Sequence, residues 1–126
     1  MKKGFTLVEL LAVIVLVGAI AAISFPLVTN QLNNSKQKSY ETQIKTIERA
    51  ANNWGAQNVG LLPDVDGQTK NISIDRLQKD GFITKGDIVD PRTEENLTGC
   101  VEITYDDEYK QPSYKYKSSC ATIDIQ

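Results

Sequence analysis

The sequence predicts an α+β fold: a long N-terminal helix, membrane-spanning over its first half, packed against a small antiparallel β-sheet head. Three observations carry this. Residues 5–28 have only Thr6, Glu9 and Ser24 as polar interruptions, and residues 10–23 carry no polar side chain at all. A helical stripe then runs on to Trp54. From Cys100 the spacing switches to the two-residue alternation of strands. At 126 residues the chain makes one modest domain. Its 40% apolar and 24% charged residues are the balance of a folded chain, which argues against wholesale disorder.

The apolar start places the chain at a membrane. Residues 5–28, at about 1.5 Å each, reach roughly 36 Å against a hydrocarbon core of about 30 Å. Lys2 and Lys3 precede this stretch, and the next basic residue is Lys36. The positive-inside rule then puts residues 1–4 in the cytoplasm and the chain after about residue 29 outside. An ordinary secretory signal peptide shares the charged start and apolar centre, and Ala19-Ile20-Ala21 would pass as its small-x-small cleavage site. Glu9 argues against that reading. A charge inside an apolar run costs about 2.5–3.5 kcal/mol on insertion scales, and a disposable leader gains nothing from it. Glu9 needs a partner.

Gly4-Phe5-Thr6-Leu7-Val8-Glu9, after a short Lys-rich leader and before an apolar helix, resembles the cleavage box of type IV prepilins and pseudopilins. Leu10-Leu11-Ala12-Val13-Ile14 continues in the same way, and Pro26 falls where that family commonly has a helix-distorting proline. The close match covers about the first 30 residues. It implies cleavage between Gly4 and Phe5 by a membrane prepilin peptidase and N-methylation of Phe5, with Gly4 meeting the need for a residue without a side chain at the scissile bond. It also implies assembly. The new ammonium on Phe5 would meet the Glu9 carboxylate of a neighbouring subunit in an apolar filament core, where an unpaired charge is severely penalised. The stretch between Gly18 and Pro26 would partly unwind in the filament. The resemblance divides the chain into a leader at 1–4, a transmembrane and polymerisation segment at 5–28, an amphipathic continuation at 29–54, and a head with a disulfide loop at 55–126.

Beyond the membrane, Phe25, Val28, Leu32, Ser35 and Ser39 follow one helical stripe, and Tyr40, Ile44, Ile47, Ala51 and Trp54 continue it as packing surface. Glu41 and Lys45 form a favourable i, i+4 pair on the outer side. Gly55 is the expected stop, giving a helix of roughly 70 Å with a kink at Pro26 and a weak point at Gly18. Residues 58–70 read as a turn-rich loop. Ser73 is placed to cap a short helix through Asp80, ended by Gly81, with Phe82 and Ile83 packing inward. Residues 87–97 form another loop around Asp90-Pro91. Strands are expected at 100–105, 114–117 and 121–125, the first pointing Val101, Ile103 and Tyr105 to one side. Leu77-x-x-x-Gly81-Phe82-Ile83 and Asp90-Pro91 are loosely similar to small Gram-positive pilin heads.

About 70 residues make a head too small for a generous core. Cys100 and Cys120 lie on the exported side, where oxidation is expected, and a bridge between them would contribute roughly 3 kcal/mol. Free thiols or an intermolecular link are the alternatives. Many pilins have a comparable C-terminal disulfide loop.

No catalytic residue, cofactor or metal is expected. The absence of histidine excludes Ser-His-Asp and Cys-His mechanisms and every His-ligated metal site. Asp64-x-Asp66-Gly67 and Asp106-Asp107-Glu108 offer oxygen ligands for calcium without the spacing of a known loop. The sequons at Asn71 and Asn96 mean little in a bacterial chain. Tyr109-Lys110 and Tyr114-Lys115-Tyr116-Lys117 interleave aromatics and cations as single-strand nucleic-acid surfaces do. A strand with tyrosines inward and lysines in solvent explains them better. Residues 87–108 hold eight acidic residues and one Arg, and loss of residues 1–4 leaves 12 basic against 16 acidic side chains, a balance of −4. DNA is therefore a weakly supported partner.

The resemblance implies a non-enzymatic structural subunit with itself, other pilins, the prepilin peptidase, and the pilus assembly platform and its ATPase as partners. It would wait in the membrane with its head outside and then enter a helical surface filament for adhesion, motility or DNA uptake. A competence or type II secretion pseudopilin is the alternative within the family. A membrane-anchored binding ectodomain that never polymerises is the alternative outside it.

Overall fold

The computed structural model describes residues 4–126 and divides the chain into two units, one ending at residue 37 and the other Lys38–Gln126. Lys2 and Lys3 lie outside the described residues. One helix, α1 (Leu7–Gln57), contributes to both units. It is the one described helix long and apolar enough to cross a membrane.

In the first unit every described side chain is exposed, including Leu10, Val13, Val17 and Ile20. A helix satisfies its own backbone groups, which is what a chain without water around it requires. Its start is built by Thr6, whose hydroxyl accepts the Glu9 amide at 3.2 Å while Glu9 Oε2 accepts the Thr6 amide at 3.4 Å. That reciprocal pair is a capping box. Gly18 and Pro26 both lie inside unbroken α-helix. The proline has no amide to give the Ala22 carbonyl, and three residues on Thr29 Oγ1 donates back to the Phe25 carbonyl at 2.9 Å.

In the second unit, α1 buries Ile47, Ala50, Ala51, Trp54 and Gly55, the face that the stripe ending at Trp54 marks out. A 3₁₀ turn, Val59–Leu61, leads to β1 (Thr69–Ser73), α2 (Ile74–Lys79), β2 (Cys100–Asp106) and β3 (Gln111–Lys117). The sheet is antiparallel in the order β1-β2-β3, with Ile72 opposite Val101 and Val101 opposite Tyr116. These register partners put Ile72, Val101 and Tyr116 on the inner face against Ile47, Trp54 and Leu77. Fully burying each such side chain contributes about 1.5–3 kcal/mol. Ser73 caps α2 by accepting the Arg76 amide at 3.1 Å, and Gly81 at φ +84° follows its end.

Two expectations change. The third strand is Thr69–Ser73, which begins within the last two residues of the stretch read as a loop, and not 121–125. Thr69-Lys70-Asn71 shows no apolar alternation; the strand exists because β2 pairs with it. Residues 121–125 contribute a single parallel bridge, Ile125 to Ile72, with the Asp124 and Ile125 amides both donating to the Asn71 carbonyl. The helix also passes Gly55 and ends at Gln57. Gly55 serves packing: a Cβ there would collide with the Tyr114 hydroxyl.

Candidate processing and assembly site

Gly4, Phe5, Thr6 and Glu9 sit together at the start of α1. Phe5 is 87% exposed, and a Cβ on Gly4 would meet nothing within 4 Å. Packing within the chain therefore makes no demand for glycine at position 4. Glu9 is bound within its own helix through the capping box, a role missed in reading the residues one at a time. The signal was available, since Thr-x-x-Glu before an apolar run is the sequence mark of such a box. Below it Val8, Leu11, Ala12, Val15, Leu16 and Ala19 line a shallow apolar surface. Gly18 likewise has open space around it.

The head contains three polar clusters. Trp54, fully buried, donates its indole N–H to Asp80 Oδ2 at 2.7 Å. Arg76 pairs with the same oxygen at 2.7 Å, lies 5.7 Å from the Trp54 ring, and donates to the Gln126 carbonyl. The bond from Arg76, then that from Trp54, holds the Asp80 carboxyl below the ordinary carboxylate range. In the second cluster Asp90, almost buried, accepts from the Arg92 amide and guanidinium, and Arg92 stacks on Tyr40 at 3.4 Å. Arg92 lowers the Asp90 pKa, and Asp90 raises that of Arg92. This anchors residues 88–97 to α1. The third is a surface pair on the outer sheet face, Lys117 Nζ to Glu102 Oε2 at 2.6 Å. Neither tertiary cluster was legible in sequence, because each joins residues 26 to 52 positions apart.

Cys100 and Cys120 are joined as a disulfide closing a separation of 20 residues. Tyr116 points inward and its hydroxyl donates to the Thr98 carbonyl, while Lys115 and Lys117 face out. Burial raises the pKa of Tyr114 and Tyr116. The alternation is thus a two-faced strand. Asp66 and Asp107 come together through a backbone-to-side-chain hydrogen bond, the Asp107 amide donating to Asp66 Oδ1. Among the described residues no three carboxylates or thiols are grouped to hold a metal ion.

The family model for the prokaryotic N-terminal methylation motif matches residues 1–25, which include Gly4, Phe5, Glu9 and Gly18. The chain is also 31% identical over 84 residues to ComG operon protein 3 homolog of Bacillus licheniformis, covering 67% of this chain and 77% of that protein. The chain belongs to the type IV pilin and pseudopilin family. Its exposed apolar helix, α+β architecture and Cys100–Cys120 disulfide are those of a pilin-type subunit. No solved structure gave a significant match to this pilin-type chain.

Proposed function

We propose that this protein is a prepilin cut between Gly4 and Phe5, methylated on Phe5, and assembled from the membrane into a surface filament. The observation that carries the reading is an apolar helix start with every side chain exposed and one carboxylate, Glu9, directly after the methylation motif. An apolar surface of that extent needs lipid before assembly and other pilin helices after it. In the filament the Phe5 ammonium and the Glu9 carboxylate of neighbouring copies pair, and the head faces outward. The peptidase, the assembly platform with its ATPase, and further pilins are the partners this cycle requires.

The likeness to a protein named for the ComG operon favours use in competence, with DNA uptake as the output, over adhesion or motility. Co-expression with a prepilin peptidase is expected to shorten the chain by residues 1–4, read by intact-mass spectrometry of the membrane fraction. A chain that stays whole beside an active peptidase, or begins at Ala22, would overturn the assignment. Electron microscopy of surface filaments paired with a transformation assay, with and without the gene, separates the uses. Loss of transformation selects competence; filament loss with normal transformation selects an adhesive or motile pilus.

A further inference from the structure

Residues 118–126 form no helix or strand of their own and lie along the edge of β1 that β2 does not use. Asn71 is the centre of the contact. Its amide donates to Asp124 Oδ2 at 2.9 Å, its Nδ2 donates to the Thr122 carbonyl at 2.8 Å, and its carbonyl accepts the Asp124 and Ile125 amides. The Ser73 amide donates to the Ile125 carbonyl at 3.0 Å, and Arg76 donates to the Gln126 carbonyl at 3.0 Å. A bare edge strand is a row of unpaired N–H and C=O groups, a template for pairing with another chain. Residues 118–126 are therefore a strap over that edge.

Little besides the disulfide holds the strap down. Ile125 is the one side chain it gives to the buried core cluster; Ile47, Trp54, Ile72, Leu77, Val101 and the rest all precede it. Its polar fit is incomplete, because Oδ1 of the same Asn71 amide group is buried without a hydrogen-bond partner among the described residues. Access of water would remove that cost. Ordering nine residues costs more conformational entropy than one buried side chain and a few hydrogen bonds return. The Cys100–Cys120 bridge supplies the remainder by tethering the strap to β2. Its two sulfurs are not equivalent: Cys100 is fully buried, whereas Cys120 is partly exposed.

We infer that residues 118–126 are a redox-latched strap, opened by thiolate attack at Cys120 Sγ, whose release uncovers β1 while the rest of the head stays folded. The attacking sulfur of a dithiol bonds to Cys120 Sγ, the Cys100–Cys120 bond breaks, and its electron pair leaves on Cys100 Sγ, which takes a proton. The second sulfur of the dithiol then displaces Cys120, which is protonated in turn. The dithiol is oxidised to its disulfide, and the bridge is reduced to two thiols. Cys100 remains in the core as a small apolar residue, and Cys120 leaves with the strap. The Asn71 and Ser73 amides then face water.

The test compares the detergent-solubilised full-length chain with and without dithiothreitol, by residue-resolved amide hydrogen exchange and Trp54 fluorescence. On reduction, exchange at Asn71, Ser73, Asp124 and Ile125 should quicken about a hundredfold or more. Trp54 emission and exchange across β2 and β3 should stay as in the oxidised chain. Unchanged protection at the four amides would show that the strap holds without its bridge. Loss of protection throughout the head with a shifted Trp54 emission would show that the bridge holds the whole head. Either result overturns the inference. Cys100→Ala with Cys120→Ala should show the same four fast amides without reductant, and full protection there sinks it equally. For the point of entry, the chain is treated with limiting glutathione, quenched in acid and mapped by mass spectrometry. The mixed disulfide is expected on Cys120; adducts on Cys100, or none while the bridge opens, overturn that assignment.

Discussion

Glu9 has one role within its own helix and a second, proposed above, between subunits. The capping box needs a side-chain oxygen at position 9, which Gln supplies and Ala does not. The filament pair needs a charge, which neither supplies. Glu9→Ala should cost the helix start about 1 kcal/mol, whereas Glu9→Gln should leave it nearly intact. Both should be cleaved and inserted, since removing an intramembrane charge eases insertion. Both should lose most filament yield, because an unpaired buried ammonium costs about 3–5 kcal/mol per subunit. Sheared-fraction immunoblots against cleaved membrane protein check this, and wild-type yield from Glu9→Gln would show that charge pairing does not drive assembly. In the head, Asp80 and Asp90 have carboxyl pKa values lowered by their partners. A lowered pKa stabilises the fold above the ordinary carboxylate value and is lost as pH falls through the folded value, so stability should decline progressively as pH drops below about 4. Trp54 is the only tryptophan and is fully buried, so its fluorescence in the detergent-solubilised chain reports the loss. Asp80→Asn should flatten that slope in part and lower the melting midpoint at neutral pH.

Among the elements, α1 and β3 meet at a point that allows no side chain. Gly55→Ala would push the Tyr114 hydroxyl away from α1 and should cost about 1–3 kcal/mol as overpacking, although alanine is the better helix former. Combining it with Tyr114→Phe should recover part of the loss, and thermal melts of the two variants check this; equal midpoints for wild type and Gly55→Ala would refute the contact. The disulfide joins β2 to the segment after β3. That segment carries Ile125 into the core and Asp124 onto the Asn71 amide. Cys100→Ser with Cys120→Ser should therefore cost about 3 kcal/mol, roughly 10 °C or more for a head this size. Full thiol labelling of the native, unreduced protein would contradict the bridge. Helices α1 and α2 were legible because their signals are local: a stripe to Trp54, a Ser73 cap, and a Gly81 stop. Strand β1 was not, because Thr69-Lys70-Asn71 has no apolar alternation of its own and is a strand through its pairing with β2.

At the level of the whole molecule, the buried core draws on α1 only from Ile47 onward. Gly18→Ala and Pro26→Ala should thus leave the Trp54 unfolding midpoint within about 0.5 kcal/mol of wild type, as distant sites do. They should still reduce filament yield if partial unwinding between them is needed for assembly. A shifted Trp54 midpoint would show that the two units share stability. The N-terminal methylation motif, the membrane-competent length and the strand at Cys100 were all written in local order. Each depends on residues adjacent or one helical turn apart, and hydrophobic period or charge order reports such features directly. Tertiary structure alone decided the rest. It set which segment completes the sheet, why position 55 is glycine, that Asp80 receives the Trp54 indole and Arg92 lies on Tyr40, and that Asp66 and Gly67 bond to Asp107 and Tyr105. Those contacts join residues tens of positions apart. Their free energy appears only when the chain closes on itself, so no local pattern in the sequence encodes them.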